Sequence, residues 1–430
     1  MIKKVVGASL IGTTVEWYDF FLYGSAAALV FNKLFFPTAD PLTGTLLAFT
    51  TYAIGFLARP LGGLVFGHYG DRLGRKKLLV LSLLLMGGAT MLMGVLPTYA
   101  TIGLAAPLLL TLLRLVQGFA LGGEWGGAVL IVSEHGDPAR RGFWASWPQA
   151  GVPCGNLLAT SVLAVLAAVQ SDEDFLAWGW RIPFLLSGVL VVIGLWIRLT
   201  VSESPIFLAA QEKLEKAPKL EKPPVVELLK HNWREVLIAM GARFAENVSY
   251  YVITAFILVY VVTGLGLSKS VGLNAVLIAS AVHLFAIPMW GALSDRFGRR
   301  SIYLIGAVGM GGWIFAFFAL LNTKDPVLIT LATTVGLVLH GAMYGPQAAF
   351  FSEMFGTRVR YSGASIGYQL ASIVAGALAP LIATALLQAY KSSVPIAIYV
   401  LITCVVTTAA ILIARETRGA DLEGRDRVGV

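Results

Sequence analysis

Charge and cysteine are what this chain of 430 residues has least of. Only 13% of its residues are Asp, Glu, Lys or Arg, 57% are hydrophobic, and the mean hydropathy is +0.77. That composition excludes an ordinary soluble domain and points to repeated membrane crossings. The two cysteines, Cys154 and Cys404, both fall inside apolar runs, so neither a structural disulfide nor a zinc site is expected. The sequence has no His-x-x-x-His, no nucleophile elbow and no Gly-x-x-x-x-Gly-Lys-Ser/Thr loop. Metal-assisted, acyl-transfer and ATPase chemistry all lack their residues, so the chain reads as no enzyme, with no cofactor and no metal. The net charge of +8 sits in short loops between apolar runs, as orientation signals do, and needs no nucleic-acid partner. Lys3 and Lys4 lead into an apolar stretch without a small-residue cleavage site, which reads as the start of a retained first helix.

What is present is a repeat. Gly67-His68-Tyr69-Gly70-Asp71-Arg72-Leu73-Gly74-Arg75-Lys76-Lys77 returns 224 residues later as Gly291-Ala292-Leu293-Ser294-Asp295-Arg296-Phe297-Gly298-Arg299-Arg300. Both copies lie between long apolar runs, so the chain is built from two similar halves. Ser133-Glu134 before Arg140-Arg141-Gly142 parallels Ser352-Glu353 before Arg358, Arg360 and Gly363, and Glu16 parallels Glu246.

Spans are expected at 9–36, 42–66, 78–96, 102–132, 142–170 and 179–201, then at 235–264, 271–293, 301–321, 327–351, 362–390 and 394–414. The fold class is all-α and polytopic, with twelve transmembrane helices in two pseudo-symmetric six-helix bundles. Residues 1–201 form the first bundle, 202–234 a polar linker, 235–414 the second bundle and 415–430 a tail. On this layout 24 Lys and Arg lie on the side of both termini and four on the other. Both termini are therefore expected in the cytoplasm.

These motifs, with Arg114-x-x-Gln117-Gly118 and Glu203-Ser204-Pro205, resemble the major facilitator superfamily. Glu16-Trp17-Tyr18-Asp19-Phe20-Phe21-Leu22-Tyr23-Gly24, Gly122-Gly123-Glu124-Trp125-Gly126-Gly127 and Trp178-Gly179-Trp180-Arg181-Ile182-Pro183-Phe184 narrow the resemblance to its metabolite:proton symporter family. Phe66-Gly67-His68, Ala120-Leu121-Gly122 and Tyr361-Ser362-Gly363-Ala364 look most like the shikimate branch. The resemblance implies proton-coupled uptake of a small organic anion by alternating access, in a bacterial inner membrane, by a protein working as a monomer in the bilayer. The alternatives are a proline or betaine carrier, a citrate or 2-oxoglutarate carrier, or an exporter of the same fold. Gly151-Val152-Pro153-Cys154-Gly155 departs from the Gly-Pro pair of drug antiporters, and the tail carries no heptads of the kind osmolyte carriers have.

Glu16, Asp19, Glu124, Glu246, Arg59, Arg114, Arg181 and Arg243 all fall within or at the edge of spans. Each costs roughly 2.5–3.5 kcal/mol at the bilayer centre, so they are expected to face a polar cavity or one another. Glu16 and Asp19 share one face of the first helix, with Tyr23 one turn on, and Arg243, Glu246 and Tyr250 repeat the arrangement on the seventh. The implied fold lines its cavity with spans 1, 4, 7 and 10. Asp19 and Glu246 are the leading proton-coupling residues, followed by Glu16, Glu124 and His340. Arg114 and Arg243 are expected to fork the substrate carboxylate, with Tyr18, Tyr23, Gln117 and Tyr250 around it. Gly67, Asp71, Arg72, Gly74 and Arg75, with Gly291, Asp295, Arg296, Gly298 and Arg299, should form the gate, and Glu134 and Glu353 should pair with its arginines. Arg59 and Arg181, toward helix ends, suit gating or anchoring, and His283 has no assigned role.

Overall fold

The computed structural model describes residues 2–37, 40–73, 75–122, 137–200, 230, 232–355 and 367–420. In hydrocarbon every backbone polar group must find its partner within the chain, and helices are the local solution. Twelve long helices are found among the described residues. The first six are α1 (Ile2–Ala26), α2 (Pro41–Leu73), α3 (Arg75–Val95), α4 (Ala105–Leu121), α5 (Arg141–Val169) and α6 (Arg181–Thr200). The last six are α7 (Trp233–Tyr251), α8 (Lys269–Phe297), α9 (Arg299–Asn322), α10 (Pro326–Met354), α11 (Ala379–Tyr390) and α12 (Val394–Ile413). The first helix starts seven residues before the expected span at residue 9. Leu57, Leu108, Phe285, Val327 and Ile413 are exposed on the outer surface, where lipid would meet them, while Arg59, Arg114, Arg243, Asp19 and Glu246 are buried.

The helix neighbours repeat. In the first six, α1 packs on α5 and α6, α2 on α4, and α3 on α4 and α6; in the last six, α7 packs on α11 and α12, α8 on α10, and α9 on α10 and α12. This is the pseudo-symmetry that the doubled motif foretold. Glycines set the closest approaches. A Cβ on Gly118 would overlap the Gly55 carbonyl, and one on Gly62 the Phe119 carbonyl, so α2 and α4 touch backbone to backbone.

Several helices pass through wider π turns. Val252–Phe256 continues α7 and Ser372–Ala377 leads into α11. Such turns redirect side chains and often flank functional positions. The Asp172–Gly179 and Arg181–Trp196 segments are bent by 45° at their junction. There Arg181 donates to the carbonyls of Gly94 (2.9 Å) and Leu96 (2.7 Å) and lies over the Trp180 ring, which anchors the end of α3.

Candidate functional site

A small cavity of about 20 Å³ lies at the junction of the two halves. Trp17 of α1 and Val152 of α5 face it from one half; Arg243, Glu246, Tyr250, His340, Tyr344 and Tyr368 are among the groups facing it from the other. Such a volume holds about one water. The polar floor is built by α7 and α10. Glu246 Oε2 lies 3.5 Å from Arg243 and accepts from Asn247 (3.1 Å) and Gln347 (3.3 Å), while its Oε1 meets His340 Nε2 at 3.4 Å. Arg243 donates to Gln347 Oε1 (2.9 Å), Asn247 Oδ1 (3.3 Å) and Ser372 (3.3 Å), and its guanidinium lies 3.4 Å from the centre of the Tyr368 ring. Gln347 also donates to Tyr303, whose hydroxyl donates to the Ala242 carbonyl. Arg243 Nε has no hydrogen-bond partner among the described residues, while both carboxylate oxygens of Glu246 and both terminal nitrogens of Arg243 are held by side chains of α7, α10 and the turn before α11. This is what a buried ion pair requires if its attraction is to offset desolvation.

His340 Nδ1 lies 3.0 Å from His283 Nε2, on α8, and Tyr250 packs against both imidazoles. Sequence reasoning missed His283, Gln347, Tyr344 and Tyr368 as members of this cluster. A single polar or aromatic side chain on an apolar helix carries no signal of its neighbour.

The charged residues of the first half are arranged differently. Arg114 donates to the side-chain amide oxygen of Gln117, Oε1, and its guanidinium lies 4.4–4.7 Å from the ring centres of Phe20, Tyr23 and Tyr52. Arg59 lies 4.2 Å from the Phe56 ring centre and 4.5 Å from that of Phe20. Neither arginine pairs with a carboxylate among the described residues. The expected pairing of buried charges therefore holds for Arg243 but not for these two, which are stabilised by aromatic faces. Asp19 turns into the bundle and not toward the cavity: its Oδ1 accepts from Ser187 of α6 (2.6 Å), and its Oδ2 has no hydrogen-bond partner among the described residues. Gln117 ties the two sites, donating to Thr90 (2.9 Å) and, at 3.5 Å, to the Asp19 carbonyl.

Tyr18 donates to the Pro183 carbonyl (2.7 Å), and Tyr23 shares a hydroxyl contact with Thr51 (2.5 Å). Neither lines the cavity, unlike Tyr250. Glu16 is buried on α1. Glu124 lies outside the described residues.

Cross-half contacts join the halves at both ends. At the end bearing the chain termini, Asp295 accepts from the backbone N–H groups of Gly142 (2.8 Å) and Phe143 (2.9 Å), so an acid of one half caps α5 of the other. Arg141 pairs with Glu353 (3.0 Å), and Arg299 joins both acids, at 2.7 Å to Asp295 and 3.1 Å to Glu353. A Cβ on Gly142 would stand 2.5 Å from the Gly291 carbonyl, so only glycine permits this approach. The tail returns to the network: Thr417 donates to Glu353 (2.8 Å), and Glu416 accepts the backbone N–H groups of Arg299 and Arg300. Gly298 makes the preceding turn at φ +97°. Arg296 is exposed, its guanidinium 5.3 Å from the Phe297 ring centre and its carbonyl accepting from Arg418, and it forms no ion pair among the described residues. Gly74 and Glu134 lie outside the described residues, as do the side chains of Asp71, Arg72 and Arg75, with Gly67 alongside them.

Midway, α5 crosses to the other half through Gln149, which donates to the Tyr344 carbonyl, and Asn156, which donates to Ser280 (3.1 Å). At the opposite end Lys269 pairs with Asp172 and lies over the Phe175 ring, and Gln388 donates to Thr43 (2.9 Å) and Asp40 (2.5 Å). Among the described residues the two halves therefore touch at both ends and midway between them.

Comparison with known proteins gives one picture. The sequence profile described as Sugar (and other) transporter matches residues 4–428. The shikimate transporter of Escherichia coli K12 is 42% identical over 420 residues, covering 97% of this chain and 95% of that protein. The inner membrane metabolite transport protein YhjE of the same organism is also 42% identical, covering 98% and 96%. The proline/betaine transporter of Salmonella typhimurium LT2 is 34% identical over 428 residues, covering 98% and 85%. Among solved structures, a D-xylose–proton symporter superposes with TM-score 0.75 at 19% identity, covering 96% of this chain and 98% of that one. The inward-open xylose transporter from E. coli superposes with TM-score 0.76 at 18% identity, covering 98% of each.

Proposed function

The chain belongs to the sugar (and other) transporter family of the major facilitator superfamily, and from that premise we propose that it takes up a small organic acid together with protons. The observation that carries this reading is the Arg243–Glu246–His340 cluster, which joins an anion-binding guanidinium to proton-accepting groups at one cavity between the halves. A hydroxylated or keto carboxylate such as shikimate suits it: the carboxylate meets Arg243, the ring lies among Trp17, Tyr250, Tyr251, Tyr344 and Tyr368, and hydroxyls reach Asn247. The name and 42% identity of the shikimate transporter support that substrate class.

In this mechanism a proton on Glu246 frees Arg243 from its internal partner, and the substrate carboxylate takes the vacated charge. Release on the other side reverses the exchange. Asp19 and Arg114 form a second charged site in the first half, with Gln117 relaying its state to α1. Residues 1–201 and 235–414 move as the two bodies, linked by 202–234. The termini face the cytoplasm of a bacterial cell, the bilayer is the inner membrane, and one copy is the working unit.

One observation favours a second substrate class. Five aromatic side chains beside a carboxylate also suit a quaternary ammonium, and proline/betaine transporters are among the relatives. Competition separates the two: proteoliposomes accumulating labelled shikimate are challenged with unlabelled shikimate, 2-oxoglutarate, citrate, proline and betaine. Displacement by hydroxy or keto acids alone supports the organic-acid reading; displacement by betaine and not by shikimate replaces it with the osmolyte reading.

A further inference from the structure

His283 and His340 stand in equivalent places on two helices of 29 residues, α8 and α10. Each is 14 positions from either end, as 283 − 269 and 297 − 283 show for the first and 340 − 326 and 354 − 340 for the second. That is about 21 Å of helix on each side, the middle of the bilayer. Both are sealed, at 0% and 1% exposure. Two imidazoles at 3.0 Å, the second of them 3.4 Å from a buried carboxylate, make an unbroken line of exchangeable protons across three helices.

We propose that His283 is a relay residue, the far station of a proton chain His283–His340–Glu246. This rests on the proton-coupled reading given above. The bookkeeping of protons is balanced along the chain. With Nε2–H on each ring at the start, a proton added at His283 Nδ1 makes an imidazolium, which gives its Nε2 proton to His340 Nδ1. His340 then gives its own Nε2 proton to Glu246 Oε1. One proton has entered at His283 and one has arrived on the carboxylate, and each ring is left neutral in its other tautomer. His283 Nδ1, the entry atom, has no hydrogen-bond partner among the described residues. An imidazole held only for packing needs no second imidazole at hydrogen-bond distance, whereas a relay needs this alignment.

The groups facing the chain are few. From α7 come Glu246, Arg243 and Tyr250, and from α10 come His340 and Tyr344. α5, packed along α8, brings Asn156, bonded to Ser280 three residues before His283; it has no charged residue between Gly142 and Val169. Arg243 is therefore the one permanent cation beside the line among the described residues. It faces Glu246 and stands at the line's end, away from His283.

The test uses His283→Gln, which can keep a bond to His340 but cannot shuttle a proton between two nitrogens, and His283→Asn as a second variant. In proteoliposomes, proton entry on substrate addition, pH-gradient-driven accumulation and substrate exchange without a gradient are measured from about pH 5 to 9. The expected result is accumulation reduced at least about tenfold with a displaced pH profile, while exchange stays within about twofold of wild type. Wild-type proton coupling and pH profile in a folded variant would overturn the relay alone. Loss of exchange together with accumulation in a folded variant would overturn it as well, assigning His283 to packing. Absence of substrate-driven proton entry in the wild type would overturn both the relay and the symport reading beneath it. A variant-free check is ¹⁵N spectroscopy of histidine-labelled wild type. The two buried imidazoles should shift together on proton loading, and a His283 signal fixed in one tautomer throughout would contradict the relay.

Discussion

At the scale of single residues Glu246 is the pivot, its carboxylate approached by Arg243, Asn247, Gln347 and His340 within 3.5 Å. Glu246→Gln keeps most of that shape and removes the charge, so uphill accumulation should be lost while exchange persists; undiminished accumulation in proteoliposomes would contradict its proton role. Arg243→Lys is not conservative, because an ammonium cannot hold Gln347, Asn247 and Ser372 in the planar geometry and stack on Tyr368 at once. Lysine keeps the charge but loses charge-assisted bonds, a cost of about 1.5–3 kcal/mol, seen as a lower Tm and weakened substrate binding. The set Arg243, Glu246 and Tyr250 was legible because helical spacing alone places those residues on one face. His283 was not, since its partner lies 57 positions away and only the packing of α8 on α10 brings them together. Counting charges also misled for Arg59 and Arg114. Aromatic rings supply their environment, and nothing in a residue count distinguishes a ring face from a carboxylate.

At the scale of helices, glycine positions and caps decide which surfaces meet. Gly118→Val would drive side-chain atoms into the Gly55 backbone and force α2 from α4. The expected result is a fall in Tm of several degrees for the purified protein, about the shift of a 1–3 kcal/mol overpacking penalty. The tail contributes a pH-dependent brace. Burial works to raise the Glu416 pKa, but the backbone N–H groups of Arg418, Arg299, Arg300 and Thr417 outweigh it and hold the carboxyl below its ordinary 4.5. A depressed carboxyl pKa stabilises the folded state above its unfolded value and loses that contribution as pH falls through the folded value. The tail should therefore stay docked at neutral pH and loosen below about 4.5. Limited proteolysis across that range tests this: wild type should become cleavable as acid is added, and Glu416→Gln should show no such transition. Helix existence and order were legible because continuous apolar runs have one solution in lipid. The brace was not, because a tail read as merely polar gives no sign of the helix start it will cap.

At the scale of the whole molecule, two halves with the same neighbour pattern meet at three levels, and the doubled hinge motif foretold the division better than the contacts across it. Sequence reasoning expected ion pairs among hinge residues. The structure adds that Asp295 caps α5 of the opposite half, so separating the halves at that end also uncovers a helix terminus. Glu353→Gln weakens the bonds to Arg141, Arg299 and Thr417 together. That variant should favour the state open at the end bearing the termini, raising alkylation of cysteines placed at that mouth several-fold. Equal labelling of wild type and variant would mean that the network does not hold that end shut. Xylose transporters share the architecture at 18–19% identity. Their likeness supports the fold, while the chemistry proposed here rests on this chain's own Arg243, Glu246 and His340. The measurement that reaches the central claim most directly is proton entry into proteoliposomes holding a pH-sensitive dye, recorded as shikimate is added outside with no imposed gradient. Proton influx that follows substrate entry and disappears in Glu246→Gln is the predicted result. Shikimate entry without any accompanying proton would contradict the account.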